Sequence, residues 1–428
     1  MRVVFNGASA LRRRTGGGTT GLGQQTMRVV FNGASALRRR TGVGHTAWHL
    51  YHALVRLAPQ NHIWFYPGLW WHRRLSPFRQ ITSRTSAVQG IFPTVPQWMR
   101  QGSWQLARGF YAVHFHLAAR LGRYDLYHEP NLVPFAVPIP TVVTVHDLSV
   151  LLYPQWHPPE RVRRHELAFA RGVARAAHIL VDSEAVRQEA VQMLGISPSC
   201  ITTVHCGIAD HFRPASAEAV AALRQRWNLP ARYLLYVGTI EPRKNVLTLL
   251  RAYCDLPLSV REHCPLVLGG MWGWKSEPER QFWEQIGQHR GVHYLGYVAD
   301  EDLPALYSGA TALLYPSYYE GFGLPPLEMM ACGGAAIIST AASLREVAGG
   351  NAIALDPYDL PAWRQAMERA IREPDWLNDY RRKGPHYAAA FRWDRAARTV
   401  LEVYHRVLTQ SLGETIGEMT QSQSRQAA

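Results

Sequence analysis

Two glutamates eight positions apart bracket a glycine-rich turn, and they form the most specific chemical pattern in the sequence. Residues 315–328 are YPSYYEGFGLPPLE, with Glu320 before the turn and Glu328 after it. The pattern predicts a strand, a turn and a helix with two prolines near its first turn, where a missing N–H costs least. Free backbone N–H groups there suit anionic or hydroxyl-rich ligands. Acids favour helix starts anyway, which accounts for Glu328 but not for Glu320.

A second acidic motif, Asp300-Glu301-Asp302, has the DxD spacing that holds a divalent metal in some enzymes. It follows Gly-Tyr-Val and precedes the helical segment LPALYSG. Acids at a helix start cap the helix and complement its dipole. We therefore predict a helix cap here, no metal site and no metal cofactor.

Two successive alternations of short β-branched runs and helical runs must position these residues. The first covers 27–206, the second covers 215–392, and GIADHFRP at 207–214 links them. Alternation predicts parallel sheets with helices on both faces, and such sheets bind ligands at the carboxyl ends of their strands. The predicted fold is therefore α/β, with two doubly wound, Rossmann-like domains facing each other across a cleft.

Both ends of the chain depart from this plan. The segment MRVVFNGASALRRRTG at 1–16 recurs at 27–42, and only the second copy continues into an amphipathic stretch. We interpret 1–26 as a duplicated extension, although either copy could supply the same strand. At the other end, we predict a helix at 393–408 that crosses back to the first domain and a disordered tail at 409–428.

Charge is distributed unevenly along the chain. Residues 1–124 contain seventeen arginines and no acidic residue, whereas the whole chain has a net charge of +14. The first domain is therefore expected to face something anionic: a membrane surface, a polyanionic or lipid-phosphate acceptor, or nucleic acid. Residues 64–123 are also rich in tryptophan and arginine, a combination typical of membrane interfaces, although large aromatic residues usually lie in the core.

The expected location of the protein depends on two features that the sequence lacks, a membrane-spanning apolar run and a disulfide pattern. No apolar run approaches the ~20 residues that span a bilayer. Five cysteines without CxxC spacing indicate reduced thiols rather than a disulfide framework or a zinc site. We expect a cytoplasmic protein that binds the inner face of the plasma membrane peripherally.

Taken together, the motifs closely resemble the retaining glycosyltransferases of family 4, which have the GT-B fold and the Glu-x7-Glu signature. The resemblance covers nearly all of 27–408. It is strongest to the mannosyltransferase-like branch of bacterial O-antigen and exopolysaccharide assembly, through VHDL at 145–148, WHPP at 156–159, GTIEPRKN at 238–245 and LREVAG at 344–349.

This resemblance implies a role for each matching residue. Glu320 and the backbone of Phe322, Gly323 and Leu324 would hold the hydroxyls of the donor hexose. Glu328 would bind the nucleotide ribose, and Lys244 the donor diphosphate. The other implied positions are His146, which would reach the donor sugar, Gly42 and Gly44, which would approach the diphosphate, and Val298, near the nucleobase.

One position departs from the family pattern. Many members have arginine directly after the strand-ending glycine, five residues before the lysine, and here that residue is Thr239. Only Arg243 and Lys244 remain in this loop to neutralise a diphosphate. Arg243 either takes over the missing charge or points to solvent.

The resemblance implies a hexosyltransferase that needs no cofactor and moves mannose from GDP-mannose to a glycan or lipid-linked acceptor. Use of a UDP- or ADP-sugar is the nearest alternative. A nucleotide-sugar epimerase would need other acids in the cleft, and a protein that binds nucleic acid would leave the Glu-x7-Glu pattern unexplained. We therefore expect no nucleic-acid partner.

Overall fold

The computed structural model describes residues 26–36, 42–66, 113, 115–117, 119, 121–122 and 124–426. The first copy of the repeat and most of the basic, aromatic stretch at 64–123 lie outside the described residues. Among the described residues, no helix is both long and apolar enough to cross a bilayer.

Six parallel strands form the first sheet, in the order β2-β1-β3-β4-β5-β6. Strand β4 is TVVTV with all five residues buried, because helices cover both faces of a parallel sheet. The strands are β1 Arg28–Asn32, β2 His62–Tyr66, β3 Leu126–Glu129, β4 Thr141–Val145, β5 His178–Val181 and β6 Ile201–Thr203. The helices are α1 Gly42–Leu57, α2 Ser149–Leu152, α3 Pro159–Val173 and α4 Glu184–Leu194, with 3-10 turns at Pro154–Trp156 and Pro198–Cys200.

A second sheet of six parallel strands has the order β12-β11-β10-β7-β8-β9. Its strands are β7 Leu234–Val237, β8 Leu266–Gly269, β9 Val292–Gly296, β10 Ala312–Tyr315, β11 Ala336–Ser339 and β12 Ile353–Leu355. Its helices are α5 Ala217–Trp227, α6 Val246–Cys254, α7 Leu258–Arg261, α8 Glu277–Gln285, α9 Leu303–Ser308, α10 Leu324–Ala331, α11 Ala342–Ala348, α12 Leu360–Arg372 and α13 Asn378–Ala388. The two sheets make the fold α/β and doubly wound, as the alternation predicts.

Each sheet contains one point where the strand order reverses. In the second sheet β7 lies beside β10, with Leu234 opposite Ala312. In the first sheet β1 lies beside β3, with Val29 opposite Leu126. Loops that leave neighbouring strands in opposite directions open a crevice at such points, which is where ligands bind to open sheets of this kind.

The last helix, α14 (Trp393–Gln426), returns to the first domain and packs on α1. Arg56 of α1 pairs with Asp394, and Tyr404 lies 2.6 Å from Nδ1 of His128 in β3. The structure differs from the predicted disordered tail at 409–428, because the helix continues to Gln426. Residues 409–426 contain no proline, and a helix already nucleated on a folded core extends at little cost.

Candidate functional site

The glutamate before the turn, Glu320, lies where β7 and β10 meet at the reversal point of the second sheet. Lys244 donates from Nζ to Oε1 of Glu320 at 2.5 Å, and Arg243 donates from Nη1 to Oε2 at 2.8 Å. Ser317 adds a hydroxyl hydrogen bond to Oε1 at 2.7 Å. Only 6% of the Glu320 side chain is exposed, so two cations and one hydroxyl replace the water around it.

The charge of Glu320 follows from these partners. Burial raises the pKa of its carboxyl group, but Lys244 and Arg243 lower it by more, and the net pKa lies below the ordinary value. Glu320 is therefore ionised at neutral pH. A buried, ionised carboxylate beside a glycine turn can accept hydrogen bonds from ligand hydroxyls.

Arg243 lies inside the cleft and does not point to solvent. Its Nε donates to Oε1 of Glu241 at 2.7 Å, and its Nη1 also reaches the backbone oxygen of Tyr319 at 3.2 Å. Its side chain is 15% exposed. The loop after β7 therefore presents two cations on one side of Glu320, as required if Arg243 supplies the charge that Thr239 lacks.

Two glycines shape the turn between β10 and α10. A Cβ on Gly321 would lie 1.9 Å from the backbone oxygen of His146, so only glycine allows this approach to the first domain. Gly323 has a φ of 101°, a left-handed conformation, and directly precedes Leu324, the first residue of α10. Phe322 is buried with its ring 5.9 Å from that of His205. The turn is therefore held between the two domains.

Glu328 lies in α10, one turn after Leu324. The hydroxyl of Tyr307 donates to its Oε2 at 2.8 Å. Burial raises the pKa of Glu328 to about 7, and the carboxylate of Asp300 adds to this effect. A carboxyl group that titrates near neutrality can accept hydrogen bonds from a diol, so the predicted contact with a ribose is chemically reasonable and stays a prediction.

The remaining predicted positions of the second domain lie along the same edge. Thr239 is half-buried, and its backbone oxygen accepts from the Tyr236 hydroxyl at 3.3 Å. Val298 is 9% exposed and lies 3.2 Å from the position that a Cβ on Gly269 would occupy, so it packs against the end of β8. Neither side chain supplies a charge to the cleft.

The DxD motif differs in detail from its prediction. Asp302 directly precedes α9 but makes no side-chain capping hydrogen bond, and it pairs instead with Arg226. Asp300 lies 3.3 Å from Nδ1 of His45 in the first domain. Within the described ranges, no group of three or more His, Cys, Asp or Glu side chains is arranged to hold a metal ion.

The glycines predicted to approach a diphosphate begin helix α1. Gly42 is its first residue and is exposed, while Gly44 is buried. The carbonyl of Gly42 accepts from the hydroxyl of Thr46 at 3.1 Å, so the glycines belong to a helical turn rather than to an open loop. His45 of the same turn contacts Asp300, which places the start of α1 opposite the second domain.

His146 follows β4 and borders the turn through its backbone oxygen. Its Nδ1 lies 2.7 Å from Oδ2 of Asp182, and its Nε2 lies 2.8 Å from the backbone oxygen of Pro130. Burial lowers the pKa of His146, but Asp182 more than offsets this, so the pKa lies above the ordinary value. Both ring nitrogens are thus engaged inside the first domain, and the predicted contact with the donor sugar stays a prediction.

Two residues of the site were missed in the sequence, for different reasons. Glu241 is 2% exposed and holds Arg243, and its place in the motif EPRKN was a usable signal. Asp182 orients His146 from the next strand, 36 positions away, and no local pattern identifies it.

Comparison with known proteins covers both domains. The model of the family "Glycosyltransferase Family 4" matches residues 40–212, and that of "Glycosyl transferases group 1" matches residues 222–387. O-antigen chain mannosyltransferase B of Escherichia coli is 35% identical over 281 residues, which are 65% of this chain and 74% of that protein.

Two further similarities bear on length and fold. The serotype-specific mannosyltransferase WbdA of Escherichia coli is 30% identical over 291 residues, 66% of this chain but only 35% of that protein. The chain thus spans about a third of WbdA. Among solved structures, sucrose-phosphate synthase from Thermosynechococcus elongatus superposes with a TM-score of 0.67 at 20% identity, over 90% of this chain and 100% of that one.

Proposed function

The chain belongs to the group 1 and family 4 glycosyltransferases, and we propose that it transfers mannose from GDP-mannose to a glycan acceptor with retention of configuration. Transfer of a hexose follows from the family itself. The donor, the acceptor and the stereochemistry are the proposal. The observation that carries it is Glu320, buried and ionised between two cations at the reversal point of the second sheet.

Each group has a distinct part in the proposed reaction. The carboxylate of Glu320 accepts hydrogen bonds from the donor hexose, and Glu328 accepts them from the ribose. Lys244 and Arg243 contact the diphosphate, where negative charge develops as the sugar leaves. Fixed positive charge at that point stabilises the transition state more than the ground state.

The charge balance of the cleft bears on how a donor diphosphate would be stabilised. Arg243 and Lys244 act against the carboxylates of Glu320, Glu241 and Asp147, so this cluster carries no excess positive charge. A bound diphosphate therefore needs further stabilisation. The first turn of α1 faces the second domain through His45, and the positive end of its helix dipole can supply this stabilisation without a metal.

Mannose is supported by the relatives rather than by a contact. O-antigen chain mannosyltransferase B shares 35% identity over three quarters of its length, and WbdA is also named a mannosyltransferase. Both names point to mannose as the donor sugar, and the first points to a polysaccharide chain as the acceptor.

A ligand panel tests the donor. GDP-mannose, UDP-glucose and ADP-glucose should be compared by thermal unfolding, since a ligand at 100 times its Kd stabilises a protein by about 2.7 kcal/mol. We expect GDP-mannose to raise the unfolding temperature most and NMR of the product to show an α-linked mannose. Stronger stabilisation by UDP-glucose would replace mannose with glucose in the proposal, and an inverted product would refute retention.

A peripheral, cytoplasmic position on an anionic membrane is also part of the proposal. On the outer face of α3, the exposed residues Arg163, Arg164 and Leu167 lie with Arg175 around one open groove. Basic residues near an anionic surface contribute about 1 kcal/mol each, screened over roughly 8–10 Å. The full chain should co-sediment with anionic vesicles at low salt, but neither with zwitterionic vesicles nor at high salt. Equal partitioning onto both kinds of vesicle would contradict this.

A further inference from the structure

Three buried polar atoms without hydrogen-bond partners belong to side chains that lie within electrostatic range of Arg243, the partner of Glu320. They are Nδ1 of His157, Nε of Arg161 and Oε2 of Glu241, and none makes a hydrogen bond to any described residue. His157 and Glu241 are each only 2% exposed. Buried polar groups are normally satisfied, so a cluster that is not satisfied is a candidate ligand site.

Trp274 contacts two of the three groups, and its neighbour Gly273 lies against the third. The guanidinium of Arg161 lies 4.3 Å above its ring, and the His157 ring lies 5.8 Å away. The preceding residue, Gly273, has its Cβ position 3.5 Å from Cβ of Glu241. His157 and Arg161 belong to the first domain and Glu241 to the second, so the cluster spans both domains.

Hydrogen-bond directions determine what each atom offers. Ser149 donates its only hydroxyl proton to Asp147 at 2.6 Å, so Nε2 of His157 must donate to Ser149 at 3.1 Å. Burial and the neighbouring Arg161 lower the pKa of His157 to about 4, so the ring is neutral and Nδ1 is an acceptor. Glu241 offers a second acceptor and Arg161 a donor.

Two acceptors and one donor suit a ligand that carries several hydroxyl groups. A phosphate has too few protons to satisfy a carboxylate and a neutral imidazole nitrogen, and the carboxylate of Glu241 repels it. Arg243 contacts Glu241 with Nε and Glu320 with Nη1, so the cluster lies one guanidinium away from the proposed donor hexose. We infer that His157, Arg161 and Glu241 bind the hydroxyls of a neutral acceptor hexose, an inference that rests on the proposed glycosyl transfer.

A row of aromatic rings leads outward from this subsite. Trp156 stacks on Tyr318 with ring centroids 5.8 Å apart, and Tyr318 stacks on Tyr358 at 4.8 Å. Tyr358 is 76% exposed, although it is a large aromatic residue. Aromatic faces pack against the C–H faces of pyranose rings, so this row would hold further sugars of a glycan chain.

The test compares Arg161→Gln and His157→Phe with the matched control Arg382→Gln, an exposed arginine on α13 to which no binding role is assigned. α-Mannotriose and methyl α-mannoside serve as acceptor probes with GDP-mannose as donor. We expect the KM for either acceptor to rise about tenfold or more in both variants, with the KM for GDP-mannose unchanged. Tyr358→Ala should raise the KM for α-mannotriose but not the KM for methyl α-mannoside.

Binding without turnover keeps this test separate from the test of the proposed function. Saturation-transfer NMR with GDP present should detect α-mannotriose on the wild-type protein and the control, but not on Arg161→Gln. If wild-type protein transfers no mannose yet shows this pattern, the donor assignment fails and the subsite stands. Unchanged acceptor KM in both variants, equal losses for donor and acceptor, or tighter binding of mannose 6-phosphate than of methyl α-mannoside would overturn the inference.

Discussion

Two buried glutamates lie at corresponding places in the two domains and differ in charge. Glu320 follows β10 and Glu129 ends β3, each at the point where its sheet reverses strand order. Glu320 contacts two cations, and its pKa is lowered. Glu129 contacts neutral donors, namely Nδ2 of Asn32 at 2.7 Å and the hydroxyl of Tyr127 at 2.5 Å.

Burial favours the neutral form of both carboxyl groups, but the net pKa shifts have opposite directions. Burial raises the pKa of Glu129 to about 7, because neutral hydrogen bonds only partly offset the loss of water. The same strand edge collects polar side chains in both domains, but only Glu320 of the two glutamates forms direct ion pairs with cations among the described residues. We infer that the charged edge of the second sheet serves donor binding in the proposed reaction. The corresponding edge of the first sheet stabilises local structure.

The largest expected effect is at Glu320. Glu320→Gln keeps the shape of the side chain and removes its charge, and it should lower kcat for mannose transfer by roughly 10²–10³-fold. Breaking a buried ion pair also destabilises a protein, so unfolding temperatures must be measured beside the rates. Glu368→Gln, on an exposed ion pair with Arg372, is the control. A near-normal rate in Glu320→Gln would remove Glu320 from the reaction.

Removal of Lys244 and removal of Arg243 should have similar effects on activity and on GDP binding. Lys244→Ala should lower kcat/KM by roughly 10–100-fold and weaken GDP binding in parallel, since the cation acts on the diphosphate before and during transfer. Arg243→Ala should approach the same loss, because Arg243 contacts Glu320 from inside the cleft. Steady-state kinetics and calorimetry with GDP measure both effects. Normal values for Arg243→Ala would mean that nothing replaces the arginine missing at Thr239.

A smaller effect, on stability rather than activity, is expected at Glu129. Its pKa is about 7 in the folded protein against an ordinary 4.5, so the folded state binds the extra proton. Its contribution, roughly 3 kcal/mol in full, is complete below about pH 4.5 and is lost as the pH rises through 7.

Urea unfolding at pH 5 and pH 8 checks this contribution. The wild type should lose roughly 2–3 kcal/mol more between the two pH values than Glu129→Gln, which cannot titrate. Identical pH dependence in the two proteins would show that Glu129 has the same pKa in both states, and the contrast with Glu320 would disappear.

The smallest effect on the transfer rate is expected when divalent metal ions are chelated. Asp300 and Asp302 are occupied by His45 and Arg226, so EDTA should leave the transfer rate unchanged within error. Loss of activity on chelation, with recovery on addition of Mn²⁺ or Mg²⁺, would show that these carboxylates leave their present partners for a metal ion.

Local patterns predicted the elements well where both faces of a strand are covered. The runs that became β4, β5, β7 and β10 are continuous and apolar, which predicts central strands. The strands β2 and β12, both at sheet edges, were not predicted. Helices α5 and α8 were also missed, and each has only one buried residue, so neither presents a wide apolar face.

The sequence by itself determined the order of the elements and the turn between Glu320 and Glu328. It also determined that Thr239 stands where many family members have arginine. These depend on residue types at short, fixed spacings along the chain. Only the tertiary structure decided that Arg243 faces Glu320, that Asp182 engages His146, and that His157 and Arg161 pack on Trp274 beside the loop of Glu241. Those contacts join residues from different strands or domains, so the packing of the two sheets, and no local pattern, sets their geometry and pKa values.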